Sequence, residues 1–182
     1  MPDLTTRVGP LTLRSPLVAA SGTVGSVVDF GGVADLSVYG AAVAKSVSAE
    51  PWLGRPPPRV APAAIGMLNG IGIQNPGIEN WLEEFAPAIR SVDVPIWGSA
   101  VGQSPEEFSL VGRGLESAPV VAIEINLSCP NLDGHMFALD PAASAKVIGS
   151  AKDAVRIPVG AKLSPNAVDI VAIAAACQEA GA

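Results

Sequence analysis

Apolar residues along the chain fall into short continuous runs separated by segments of helical period. The runs are Leu17–Ala20, Ala41–Ala44, Pro95–Val101, Val120–Ile123 and Pro158–Leu163. None alternates strictly with polar residues, so each predicts a strand covered on both faces. The segments between them predict helices. Val27–Val38 is one, weakened by Gly31-Gly32. Gly77–Ser91 places Ile78, Trp81, Leu82, Phe85 and Ile89 on one side. Ser104–Leu115 opens with a capping serine, Pro105 at the first helical position, and Glu106 and Glu107 in the first turn. Asp140-Pro141 opens another, reaching about Val155, and Asn166–Ala180 is the last. Ahead of all this, Thr5–Val8 and Leu11–Leu13 flank Gly9-Pro10 and predict a β-hairpin.

Two stretches break the alternation. Pro51–Pro62 contains Pro51, Pro56, Pro57, Pro58 and Pro62, which exclude helix and central strand and predict an extended surface loop. Gly66–Gly77 is too rich in glycine for an ordinary strand and too apolar for a linker, so it predicts a loop folded over a ligand. Asp133–Leu139 is read as the loop after the fourth strand.

Strand followed by helix, five times over, predicts a parallel sheet. Polar or small residues at each strand end predict an α/β architecture, the (β/α)8 TIM barrel, with its site at the C-terminal face of the strands. Such a barrel needs eight strands and about 250 residues. The 182 residues carry five, and the last helix ends at Ala180-Gly181-Ala182 where a sixth strand would follow. The expectation is one incomplete barrel domain over 1–182, truncated after about five βα units.

Composition narrows the class further. Half the chain is apolar (49%) and only 15% is charged, as buried parallel strands require. No apolar stretch approaches the ~20 residues needed to span a bilayer, and no basic region followed by an apolar block opens the chain. The reading is a cytoplasmic protein. A net charge of −6 argues against a nucleic-acid surface. The two cysteines, Cys129 and Cys177, have no metal-ligand spacing and read as free thiols, so no metal site is expected.

Chemistry concentrates at the strand ends. The fourth run leads into Glu124-Ile125-Asn126-Leu127-Ser128-Cys129-Pro130-Asn131, where two amides bracket a thiol and Pro130 stops the ladder. Lys45-Ser46 follows the second run, Ser21-Gly22-Thr23 the first, and Ser99 ends the third. Lys162 lies within the apolar fifth run, where a lone cation is costly to bury and calls for a negative partner. Asn69-Gly70-Ile71-Gly72-Ile73 combines an amide side chain with glycines that let a backbone approach a ligand. His135, the only histidine, reads as a solvated loop residue without a role.

Together the Asn-Leu-Ser-Cys-Pro-Asn and Gly-Met-Leu-Asn-Gly-Ile-Gly-Ile segments, with both lysines in order, resemble the class 1, soluble, cysteine-dependent dihydroorotate dehydrogenases over essentially the whole chain. That resemblance implies an FMN oxidoreductase of de novo pyrimidine biosynthesis, converting dihydroorotate to orotate. Cys129 would be the general base, taking the C5 proton while the C6 hydride passes to FMN. A thiol of ordinary acidity (~8.5) is partly ionised near neutrality, enough for that task. FMN would touch Ser21, Lys45, Ser46, Ser99, Asn126 and Lys162, with a reduced flavin anion a suitable partner for Lys162. Substrate would touch Lys45, Asn69, Gly70, Ile71, Gly72, Ile73, Asn126 and Asn131. Ser99 stands where relatives often carry Asn and reaches less far. Asp133-Gly134-His135-Met136-Phe137-Ala138 also differs from the commoner Gly-Gly form of the catalytic loop.

The proline-rich loop and Gly-Ile-Gln-Asn-Pro-Gly lean toward the NAD-linked subclass, which works with an FAD and iron–sulfur subunit; fumarate and quinone are the other acceptors. A homodimer is the further partner implied. The truncated chain by itself is expected to be inactive and to retain no flavin. Two alternatives stand beside this reading: another flavin barrel, such as a dihydropyrimidine dehydrogenase-like reductase, and a non-catalytic fragment.

Overall fold

The computed structural model describes residues 3–30, 32–129 and 136–182. Thr6–Val8 (β1) and Leu11–Leu13 (β2) form the expected antiparallel hairpin around Gly9-Pro10. A five-stranded parallel sheet follows: β3 (Val18–Ala19), β4 (Ala41–Val43), β7 (Ile96–Ala100), β8 (Ala122–Asn126) and β9 (Val159–Lys162), adjacent in that order. The sheet curls as part of a barrel wall. Between β4 and β7 the chain inserts a second antiparallel pair, β5 (Val60–Ala63) and β6 (Gly66–Asn69).

The helices are α1 (Ile78–Glu84), α2 (Pro105–Ser117), α3 (Pro141–Ala154) and α4 (Ile170–Glu179). The last three are capped as their sequences dictate. Ser104 Oγ accepts from the amide of Glu107, Asp140 Oδ1 from that of Ala143, and Asp169 Oδ1 from that of Ala172. Phe108, Val111 and Leu115 of α2, Val147 and Ile148 of α3, and Ile173 and Cys177 of α4 are buried in one core with Ile123 and Ile125 of β8. Gly98 leaves room there for Leu115: a Cβ at that position would sit 2.9 Å from Leu115 Cδ2 and push that buried side chain aside. Between α2 and α3, Ser109 Oγ donates to the carbonyl of Ser150 at 2.8 Å. Cys177 is deeply buried, and burial pushes its thiol above the usual range.

Four expectations need correction. Among the described residues of Val27–Val38 there is no α-helix, only a 3-10 turn, Val28–Phe30. Gly25, Val27 and Gly32 adopt left-handed φ of 53°, 72° and 82°, which a right-handed helix cannot contain. Gly77–Ser91 divides into α1 and a 3-10 segment, Ala86–Ser91, because Pro87 has no amide for an i−4 bond. Val60–Asn69, expected as loop, pairs as a ribbon in which Pro62 faces Met67. A two-stranded ribbon has free edges, so it tolerates a proline that a central strand would reject. Lastly, the first core strand is shorter than the apolar run, Val18–Ala19 instead of Leu17–Ala20.

Candidate functional site

All five parallel strands point their C-terminal ends the same way, and the side chains there converge on a cavity of about 920 Å³. Its lining includes Ser21, Lys45, Ser46, Asn69, Gly70, Ile71, Gly72, Ile73, Asn126, Cys129 and Lys162, which are the expected site residues with two exceptions. Ser99 lies fully buried under the floor. Asn131 falls outside the described residues, as does His135. A second cavity of about 590 Å³ lies between the Val8–Leu11 hairpin and the lower strands. Glu124 borders it, but none of the expected site residues does.

Alternation along β8 explains how the floor is built. Ile123 and Ile125 face the helices, while Glu124 and Asn126 share the inner face. The parallel register sets Ser99 opposite Glu124 and Asn126 opposite Lys162. Lys162 Nζ lies 3.1 Å from Glu124 Oε1, and Ser99 Oγ donates to the same oxygen at 3.1 Å. Ser99 Oγ is 2.9 Å from Ser46 Oγ. Asn126 Nδ2 donates to Ser46 Oγ at 3.0 Å and to Cys129 Sγ at 3.3 Å, while Asn126 Oδ1 accepts from Ser128 Oγ at 2.8 Å. Ser21 Oγ donates to the carbonyl of Ala44 at 2.8 Å, tying the first strand's loop to the second. The anion beside Lys162 is thus Glu124. The sequence reading left Glu124 unassigned, although its i,i+2 spacing to Asn126 places both on one face of a strand.

The opposite wall is the segment from Trp52 to Gly77. The backbones of Arg55 and Ile71 meet there, with the Arg55 amide donating to the Ile71 carbonyl at 3.1 Å. Gly72 makes that approach feasible: its φ is +74° and a Cβ would lie 2.6 Å from the Arg55 nitrogen. Ile73 beside it is also left-handed (φ 53°), an unfavourable conformation for a β-branched residue. Asn75 holds it. Asn75 Nδ2 donates to the Ile73 carbonyl, and its Oδ1 accepts from the amides of Ser48 and Gly77, each at 3.0 Å, while the Ser48 hydroxyl donates to the Glu50 carbonyl at 2.6 Å. Arg55 and Gln74, which line the cavity, and Asn75, which braces its wall, are further residues of this site to which the sequence alone assigns no role.

The site is cationic. Burial pushes Lys45 below the ordinary lysine range; Cys129 nearby counters this and the neighbouring charge of Lys162 adds to it. Among the described residues no cluster of His, Cys, Asp and Glu could hold a metal ion. No described helix is long and apolar enough to cross a membrane.

A parallel α/β barrel wall with amides, lysines and a thiol at its strand ends defines a barrel protein whose site lies on the C-terminal face. The chain belongs to the dihydroorotate dehydrogenase family, whose profile matches residues 3–182. The catalytic subunit of dihydroorotate dehydrogenase B (NAD(+)) from Pelobacter propionicus is 41% identical over 184 residues, covering 100% of this chain and 60% of the relative. The same subunit from Desulforudis audaxviator is 39% identical over 178 residues, covering 96% of this chain and 58% of the relative. The crystal structure of DHODH from Eimeria tenella in complex with ferulenol superposes with a TM-score of 0.76 at 18% identity, covering 100% of this chain and 58% of that one; it bears on the fold alone. The chain therefore spans about three fifths of the length of the relatives it matches.

Proposed function

We propose that this chain carries the thiol-bearing part of a dihydroorotate dehydrogenase active site, acting in pyrimidine biosynthesis. The observation that supports this best is the convergence of Cys129, Asn126, Lys45 and Lys162 on one cavity, opposite the Asn69–Ile73 segment. Two lysines and Arg55 around the cavity suit a carboxylate-bearing substrate, which favours dihydroorotate over uncharged dihydropyrimidines.

The donor set also fits a flavin. Ser21, Lys45, Ser46, Asn126 and Lys162 offer hydroxyl, amide and ammonium groups, which match the polar edge of an isoalloxazine ring. FMN, when bound, supplies the two-electron acceptor for the hydride leaving C6 of the substrate. The chain's own residues do the rest. Cys129 Sγ takes the proton from C5. Asn69 and, from outside the described residues, Asn131 present amides to the pyrimidine ring, and Asn126 adds the free lone pair of its oxygen. Gly70, Ile71, Gly72 and Ile73 contribute backbone groups and shape. Lys45 offsets the substrate's negative charge, while Ser99 supports the floor from below and does not touch the ligand.

The relatives' names favour the NAD-linked subclass and a second subunit beside the catalytic one; we take that subunit to carry FAD and an iron–sulfur centre, in a cytoplasmic assembly built on a homodimer. The test is Cys129→Ser in the product of the complete reading frame, by anaerobic stopped-flow bleaching of the flavin with dihydroorotate. The expected outcome is a loss of about 10²-fold or more at neutral pH, because a hydroxyl is a far weaker base than a thiolate. An unchanged rate would make Cys129 structural and overturn the proposal. Reduction by dihydrouracil instead of dihydroorotate would point to a different substrate class.

A further inference from the structure

The floor of the site forms a chain of hydrogen bonds whose direction is set at one end. An ionised Glu124 only accepts, so Ser99 spends its single proton on Oε1 at 3.1 Å. Ser99 Oγ must then accept at its other contact, so Ser46 donates to it across 2.9 Å. Ser46 cannot donate twice, so its oxygen accepts from Asn126 Nδ2 at 3.0 Å. That orients the Asn126 amide: its second N–H is aimed at Cys129 Sγ at 3.3 Å, and its oxygen is left to accept from Ser128. Ser21 spends its proton on the Ala44 carbonyl and could only accept from Ser46, but at 3.4 Å it competes poorly with Ser99 at 2.9 Å, whose own proton is on Glu124, so the Ser46 proton goes to Ser99.

We infer that Glu124 is a positioning residue. Its carboxylate holds Lys162 on one side and, through Ser99 and Ser46, locks the Asn126 amide with an N–H directed at Cys129. Without the carboxylate terminus, the two serine hydroxyls can rotate and the amide can turn its oxygen toward the sulfur. A hydrogen bond that favours the thiolate would then become a repulsion between lone pairs. Ser99 is the sharper probe, since it carries the chain's polarity while bearing no charge and making no contact with Lys162.

This inference rests on the reading of Cys129 as the base, but its test needs neither turnover nor flavin. The rate of iodoacetamide alkylation of Cys129 is measured against pH, by mass spectrometry, in wild type, Ser99→Ala and Glu124→Gln. Cys177 serves as the internal control, because it stays unmodified while the core is folded. The alkylation–pH curve is expected to move to higher pH in Ser99→Ala, with the rate at pH 7.5 down by roughly two- to tenfold. Glu124→Gln should move it the same way, although losing the negative charge opposes part of the shift. Curves identical to wild type in a folded Ser99→Ala protein, with Cys177 still protected, would overturn the inference. If the curve shifts but dihydroorotate reduces no flavin in the complete protein, the positioning role stands and the proposed reaction fails.

Discussion

The two walls of the cavity are held together in opposite ways. The strand-end floor is joined by side chains: Ser46, Ser99, Glu124, Asn126 and Lys162 bond to one another across strands distant in sequence, and Ser99 and Asn126 are buried. The facing arm is joined mainly by backbone, through the Val60–Asn69 ribbon and the Arg55–Ile71 contact, with the Arg59 side chain donating to the carbonyls of Leu53 and Arg55, and its residues are largely exposed. Ile65, at the turn of the ribbon, is fully exposed, and Met67 and Leu68 are mostly so. Reactive groups belong on the floor, where a lattice of fixed partners orients them. Groups that only need to lie against a ligand can belong to the arm, where few interactions oppose movement.

Asn75 is where the contrast is most easily destroyed, because one side chain anchors the arm to the floor. Asn75→Ala removes three hydrogen bonds and leaves the Ser48 and Gly77 amides without their acceptor. A loss of about 3 kcal/mol in urea denaturation is expected, with proteolytic cleavage appearing within Val60–Asn69. A variant as stable and as protease-resistant as wild type would show that the arm has a second anchor.

Lys45 tests the floor from the side of charge. Burial lowers its folded-state affinity for the proton relative to the ordinary value of 10.5. Below the folded value the lysine is charged in both states, so the full burial cost falls on the folded protein at neutral pH. That cost fades as pH rises through the folded value, and it is gone above 10.5. Lys45→Met should therefore raise Tm at pH 7 by roughly 2 °C, with the advantage shrinking toward pH 10, while dihydroorotate binding in the complete protein is lost. A lower Tm at pH 7 would mean that Cys129 compensates the buried ammonium more than burial penalises it.

The smallest effect is expected at the outer end of the arm. Ile65→Ser should change stability by no more than about 0.5 kcal/mol, because its side chain touches water and little else. A larger loss in denaturation would place Ile65 against another surface and remove the distinction between the walls.

The alternation of strand and helix is legible in the sequence because strands covered on both faces must be continuously apolar. Two helix starts are legible too, because Ser104 and Asp140 cap through bonds made within three residues; the last helix, expected from Asn166, begins only at Ile170 behind the cap Asp169. Polar residues at the strand ends can be picked out one by one, because each sits where its own apolar run stops, although their roles rest on the family resemblance. What the sequence could not show is which of them meet. Lys162 requires an anion, but the choice of Glu124 depends on the register of β8 against β9, and Ser99 joins them only through the register of β7 against β8. Parallel pairing links residues that are never neighbours in the chain, and Ser46 and Asn126 lie 80 positions apart. The same holds for the missing helix at Val27–Val38, where the expected period yields to left-handed turns at Gly25, Val27 and Gly32. Propensity is a local quantity, whereas register and close packing are set by the whole sheet and the helices that cover it; only the folded chain decides them.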